Sequence, residues 1–304
     1  MSGELPVDIQ VPSGPRRAVR GVTGKLLQLW RARELLAQLV RKELKVRYKN
    51  SALGFLWSML TPVLMTGVFS LVFTLIAPIE VPNYPAFFIS GYLLWQFFQN
   101  SCQGAIHSIV GNGDLVKKVY FPREVLPLSH VFAQLVHLLL ALAVLSPYLI
   151  YTRGVGVLVY LPVTLAAVGL LTVFASGMAM WFAGVNVVFR DLQELFVVIF
   201  QVWFYATPVL YPLALVSDVL DGDRFAGFAW IETLLAINPT TWFVELFRTG
   251  LYGPVTATSD GLVDGPPGLP DVATVGGAAG WAVLALVVGY VVFLRRARTF
   301  AKEV

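Results

Sequence analysis

Six long apolar runs, parted by short polar segments, decide what this chain can become. A helix that crosses a bilayer needs about 20 predominantly apolar residues. The runs at 55–77, 86–108, 126–150, 157–189, 195–211 and 273–294 meet that need to differing degrees. Composition agrees, since 57% of the 304 residues are hydrophobic and only 13% charged, against about 25% charged in an ordinary soluble domain. Disorder is excluded as well, because 8 Trp, 11 Tyr and 21 Phe are far more apolar surface than such chains carry. The predicted fold is an all-α integral membrane protein with six transmembrane helices, in a transmembrane domain running from 51 to 304.

The runs are not alike. The second carries Gln96, Gln99, Asn100 and Gln103 in its latter half, which suits a face turned to protein or to a water-filled path. The fourth is too long for an upright span, so tilt or an extramembrane turn must absorb the excess. A seventh apolar stretch, 226–251, is broken by Asn238-Pro239 and interrupted by Glu232, Glu245 and Arg248. It reads as two short helices that enter the outer leaflet and return, which the bilayer tolerates only where protein or water satisfies the backbone. Glu245 and Arg248, three residues apart, share a helical face and can hold each other. The Gly/Pro/Asp-rich stretch 254–271 that follows is expected to be a mobile external loop.

Charge orients the spans. Of 22 basic residues, 19 fall in 1–54, 109–125, 190–194 and 295–304, while the other side receives only Arg153, Arg224 and Arg248. Positive-inside bias therefore puts both termini in the cytoplasm. Residues 1–24 have no apolar core of a cleavable signal and are expected to be a disordered cytoplasmic tail. From 25 to 50, Leu26, Leu29, Trp30, Leu36, Val40 and Leu44 recur at helical spacing against a basic side that includes Arg41 and Arg47, with Tyr48 near the end. This describes an amphipathic helix able to lie in the headgroup layer or to pack on a partner.

The absent chemistry is as informative. No GxxxxGK[ST] phosphate loop is present, since Gly24-Lys25 is preceded by Val19 where glycine is required. Cys102 is the only cysteine, and no metal-ligand spacing occurs. His130 and His137 lie on one face of the third run with no carboxylate in that run to partner them, so packed or interhelically hydrogen-bonded histidines are favoured over a proton relay or ligand pair. The spans hold almost no charge, although ion-driven transporters need ionisable groups inside the membrane. If the protein moves something uphill, the energy comes from outside the chain. A docking surface for its supplier is offered by 111–124. There Asp114 can cap a short helix, Leu115, Val116 and Val119 can face a partner groove, Pro122 can end it, and Tyr120 and Phe121 stand beside Lys117, Lys118 and Arg123. An ordinary headgroup anchor is the competing reading.

The motifs, in order, resemble one family. They are Arg41-Lys42-Glu43-Leu44-Lys45-Val46-Arg47-Tyr48-Lys49 with Leu53-Gly54, Trp57 and Pro62; Gly91 with Trp95-Gln96-Phe97-Phe98; and Lys117-Lys118, Phe121-Pro122-Arg123 and Leu126-Pro127. Then come Asn186 with Phe189-Arg190-Asp191, Pro208-Val209-Leu210-Tyr211-Pro212, and Asn238-Pro239 with Glu245 and Arg248. Over 35–296 the chain resembles the membrane subunits of ABC-2 type exporters of lipid-linked polysaccharides, the Wzm-like O-antigen, teichoic-acid and galactan permeases.

The resemblance implies a half-transporter that is not itself an enzyme and holds no cofactor. It would pair with a second copy of itself and with two copies of a separate ATPase subunit that bind ATP and Mg, in the bacterial inner membrane, with no role for nucleic acid. It implies that 111–121 is the coupling helix on the ATPase, that 25–45 is an interface helix, and that the Asn238-Pro239 region belongs to outward gate helices. The stretch 254–271 is longer than in typical O-antigen permeases. Polysaccharide pathways use flat rings that stack on sugars and let them slide; the rings to consider are Tyr92, Trp95, Phe98, Trp181, Trp203, Tyr205 and Tyr211, with the second span as channel wall. Interfacial aromatic belts account for such rings equally well. Arg outnumbers Lys by 15 to 7, a bias of GC-rich bacterial genomes, which points to a galactan-like cell-wall polymer. The alternatives are an ABC-2 permease for drugs or small lipids, and a membrane-embedded glycosyl- or acyltransferase, for which no catalytic pair stands out.

Overall fold

The computed structural model describes residues 22–48, 56–189, 191–221, 228, 230–258, 261–297 and 300. The expected tail lies, up to residue 21, outside the described residues, as do the side chain of Tyr48 and the end of the expected 25–50 helix. That helix is two: α1 (Val22–Arg31) and α2 (Arg33–Tyr48), parted at Ala32.

The apolar runs become α3 (Leu56–Leu71, continued by a π-helical turn over Val72–Ile76), α4 (Tyr84–Ile106), α6 (Val125–Arg153), α7 (Leu161–Asn186), α8 (Leu192–Tyr205) and α12 (Val272–Ala297). The overlong fourth run is resolved by a separate 3-10 turn, Val155–Tyr160, ahead of α7. Among the described residues, four segments are long and apolar enough to cross a membrane: Met59–Ile76, Val125–Arg153, Val155–Asn186 and Val272–Ala297. α8 is shorter, and α4 is diluted by its amides. Short helices fill the connections: α5 (Gly113–Lys118), α9 (Leu213–Asp221), α10 (Trp230–Ile237) and α11 (Pro239–Leu251).

α4 is the centre. Phe87, Phe88, Leu94, Phe98 and Cys102 are almost wholly buried, because α3, α6, α7 and α11 all pack around this helix. Gly104 admits the imidazole of His130 from α6, where a Cβ would come within 2.8 Å of Nδ1. α7 and α12 run parallel at backbone contact: a Cβ on Gly289 would stand 1.9 Å from the Gly177 carbonyl oxygen, and one on Gly184 3.3 Å from the Phe293 Cα. Small residues at such a seam let membrane helices approach closely, where packing rather than hydrophobic exclusion supplies the attraction.

Stretch 254–271 differs from the expected mobile loop. It holds an antiparallel hairpin of β1 (Val255–Thr258) and β2 (Gly261–Asp264), tied down by Arg153 at the end of α6. The Arg153 guanidinium pairs with the Asp264 carboxylate, donates to the carbonyls of Tyr252 (2.8 Å from Nε) and Gly265 (3.0 Å), and covers the Tyr252 ring at 4.0 Å. Tyr252 in turn donates its hydroxyl to the Pro82 carbonyl. Burial first, and then the Asp264 carboxylate, push the Tyr252 phenol well above its ordinary pKa, so it remains a donor.

Candidate functional site

Two polar constellations lie at opposite ends of the bundle. The basic end is built on a second apolar cluster in which Leu39 of α2, Ile109, Val116, Val125, Leu126, Met180, Val187, Phe293 and Phe300 pack together. It seats the connection 107–124. Asn112 accepts from Lys42 Nζ (3.2 Å) and donates to the Ser108 carbonyl (2.8 Å). Arg123 donates to the Ala297 carbonyl and lies over the Phe300 ring at 5.8 Å.

Several expectations for this segment are corrected. Asp114 is not the cap of α5: the N-cap position is Asn112, without a side-chain cap bond, and Asp114 instead pairs with Lys118 at 3.4 Å on the exposed side. α5 stops at Lys118, where Val119 turns extended, before Pro122 is reached. Val116 is buried, and Leu115 and Phe121 pack beside it on the protein's own core, so they do not face a partner groove. A six-residue helix is held by what it buries. What remains outward is Lys117, Lys118, Val119 and Tyr120, the last fully exposed.

His130 faces Glu43 of α2, with Nδ1 3.6 Å from Oε2, so its carboxylate comes from the amphipathic helix. Trp30 of α1 and Arg41 and Arg47 of α2 are exposed, and Arg33 lies over the Trp30 ring at 5.1 Å.

At the opposite end, α10 and α11 meet at Asn238, which caps α11 by accepting from the Thr240 backbone N–H at 3.1 Å. The same side chain accepts from Trp203 Nε1 (2.8 Å) and the Thr240 hydroxyl (2.7 Å), and donates to the Ala206 carbonyl (2.9 Å) and the Thr207 hydroxyl (3.2 Å). Pro239 occupies the first helical position, where its missing N–H costs nothing. One amide thus binds the end of α8 to the start of α11. Thr207 and Thr240, which share a 2.7 Å bond, carried no signal in the sequence.

Two and a half helical turns beyond Pro239, Arg248 is 1% exposed. Its Nη1 donates to Glu245 Oε1 at 3.0 Å, its Nη2 to the Pro208 carbonyl at 3.0 Å, and its guanidinium lies 3.8 Å from the Phe87 ring centroid. Gly91 makes the room, because a Cβ there would stand 2.8 Å from Nη2. A charge this deep persists only when paired and hydrogen-bonded.

The rings divide. Trp95 and Phe98 are interior side chains, with centroids 5.6 Å from Phe204 and 5.2 Å from Trp203 respectively, so the expected channel wall on α4 is corrected to a core. Tyr92 is half-buried against Phe88. Trp181 and Tyr205 are exposed, and the half-buried Tyr211 donates to the Tyr205 carbonyl at 3.1 Å. Trp203 borders an apolar cavity of about 530 Å³ shared with Val202, Leu234, Ile237 and Trp281.

The comparisons with known proteins fall on this same body. The ABC-2 type transporter family matches residues 34–252. The chain is 34% identical over 220 residues to the O-antigen export system permease protein RfbA of Klebsiella pneumoniae, covering 71% of this chain and 81% of that one. It is 35% identical over 235 residues to RfbA of Myxococcus xanthus, covering 74% and 83%. It is 23% identical over 228 residues to the capsule polysaccharide export inner-membrane protein CtrC of Neisseria meningitidis serogroup A, covering 74% and 82%.

Proposed function

The chain belongs to the ABC-2 type transporter family, and from that premise we propose that it is the membrane permease subunit of an ATP-driven exporter of a cell-envelope polysaccharide. The observation that carries the reading is an identity of about a third, across most of both chains, with permeases named for O-antigen export. The chain itself transports and does not catalyse; a separate ATPase subunit handles ATP and Mg.

The finer reading is a homodimer with two ATPase copies in the bacterial inner membrane, both termini cytoplasmic, carrying a lipid-linked, galactan-like glycan outward. α4 and α8 complete six crossings with the four clearly apolar segments. Support for the common side of the termini comes from Leu39, Val116 and Phe293 meeting in one cluster. The ATPase docks on the outward side of the 107–124 connection: Asp114, Lys117, Lys118 and Tyr120 make contact, while Leu115, Phe121 and Arg123 hold the segment in place. α1 and α2, with Trp30, Arg41 and Arg47, lie at the headgroups. The glycan passes the exposed rings Trp181 and Tyr205 and the half-buried Trp203. The α10–α11 unit, with Asn238, Pro239, Glu245 and Arg248, is the outer gate.

Depleting the chain in the producing cell, with its partner ATPase present, is expected to accumulate lipid-linked glycan on the cytoplasmic side. The purified chain alone is expected to hydrolyse no ATP, and its complex with the ATPase to do so. Unchanged surface glycan after depletion refutes the function.

A further inference from the structure

Between α9, α10, α11 and the start of α12 lies a second cavity, of about 290 Å³, whose lining includes Ser217, Glu232, Thr241, Trp242 and Glu245. Its chemistry is unlike that of the apolar cavity beside Trp203. The Thr241 side chain is 4% exposed, and its hydroxyl has no hydrogen-bond partner among the described residues. A buried hydroxyl without a partner carries a desolvation cost, which rotation of the Thr241 side chain toward a ligand hydroxyl in the cavity would remove. Trp242 is a fixed platform: its Nε1 donates to the Ala236 carbonyl at 2.9 Å, and the α12 backbone packs against the ring at Gly277, where a Cβ would stand 2.5 Å from Cε3. Glu245 gives Oε1 to Arg248, and Glu232 stands exposed at the rim.

A rigid indole, two carboxylates and the three hydroxyls of Ser217, Thr241 and Thr274 around a space at the small end of ligand pockets form a set that takes a polyhydroxylated ring: the indole meets its apolar C–H surface, and the oxygens accept from and donate to its hydroxyls. Two carboxylates and, among the described residues, no basic side chain in the lining set an acidic sugar at a disadvantage. We propose that this cavity is a glycan subsite holding one neutral sugar unit of the outgoing polymer, with Thr241 and Glu245 as hydrogen-bonding groups and Trp242 as the stacking platform. The proposal rests on the polysaccharide-export reading and names a place on the route with a preference for uncharged units.

The test places a photo-crosslinking p-benzoylphenylalanine at Ser217, on the exposed rim, and separately at Tyr205 on α8, in the full exporter within glycan-producing cells. The probe is the cell's own envelope glycan, detected as a ladder on the crosslinked chain. Glycan adducts are expected at Ser217, and Thr241→Val is expected to lower their yield about two- to tenfold, the effect of one hydrogen bond, while leaving assembly intact and the Tyr205 yield unchanged. Thr241→Val removes an unpartnered hydroxyl, so a folding loss is not its effect. No adduct at Ser217, or a yield indifferent to Thr241→Val, overturns the subsite. Adducts at Tyr205 in that event leave the export reading standing; their absence together with unchanged surface glycan after depletion sinks the export reading as well.

Discussion

Gly91 has no side chain because Arg248 occupies its place. In Gly91→Ala the new methyl meets Nη2 at 2.8 Å, whereas ordinary contact begins near 3.4 Å, so the guanidinium must retreat by about 0.6 Å from a seat bounded by Glu245, Pro208 and Phe87. That retreat disrupts at least one of the two 3.0 Å bonds, and a hydrogen bond to a charged group contributes about 1.5–3 kcal/mol. The expected cost is therefore about 2 kcal/mol. The same alanine introduced into a Glu245→Gln, Arg248→Leu background meets nothing closer than Val209 at 3.5 Å; its cost there should fall below about 0.5 kcal/mol, leaving a coupling of about 1.5 kcal/mol or more. SDS titration of the purified proteins in mixed micelles, followed by tryptophan fluorescence, reads both legs of the cycle. Equal costs for Gly91→Ala in the two backgrounds would refute the steric argument.

Four further outcomes follow from the geometry. Tyr120→Ala should weaken ATPase binding by about 2 kcal/mol while leaving chain stability untouched, as an exposed anchor does; Phe121→Ala, whose ring packs inward, should lower stability as well. Co-purification and thermal melting separate the two. Arg153→Ala should release the β1–β2 hairpin and make 254–271 a site of rapid proteolysis in right-side-out spheroplasts, with unchanged cleavage counting against the clasp. Gly289→Ala drives a methyl into the Gly177 carbonyl and should prevent recovery of monodisperse protein, whereas Gly280→Ala, where a Cβ meets nothing within 4 Å, should be silent.

The helices were legible in the sequence because each is a local event: a run of apolar residues needs no distant partner to declare itself, and Asn238-Pro239 breaks a helix wherever it occurs. The two short helices meet at that break. What escaped reading was long-range. Glu43 pairs with a histidine 87 positions away, and no periodicity links them. The hairpin looked mobile because Gly, Pro and Asp signal turns, and the signal says nothing of Arg153, over a hundred residues upstream, which pins it. Polar Gln96 and Gln99 beside Trp95 suggest a face turned to a path; instead Trp95 donates to Gln99 Oε1 at 3.0 Å, so these two side chains satisfy each other within the helix. The cavity residue Thr241 gave no sign at all, since a threonine matters there only through the hydrogen bond it lacks.

The backbone seam between α7 and α12 has a mechanical consequence. Two helices joined at glycine contact resist sliding and bending against each other, so the pair behaves as a stiff strut about 39 Å long for the 26 residues of α7. Its basic end grips the 107–124 connection through Met180, Val187 and Phe293. Its other end touches α11 twice, where Gly250 abuts Thr164 and Gly277 abuts Trp242. A strut of this kind stores little of a push delivered at one end and returns most of it at the other, so work done on the connection arrives at Trp242 as displacement instead of being spent as strain along the way.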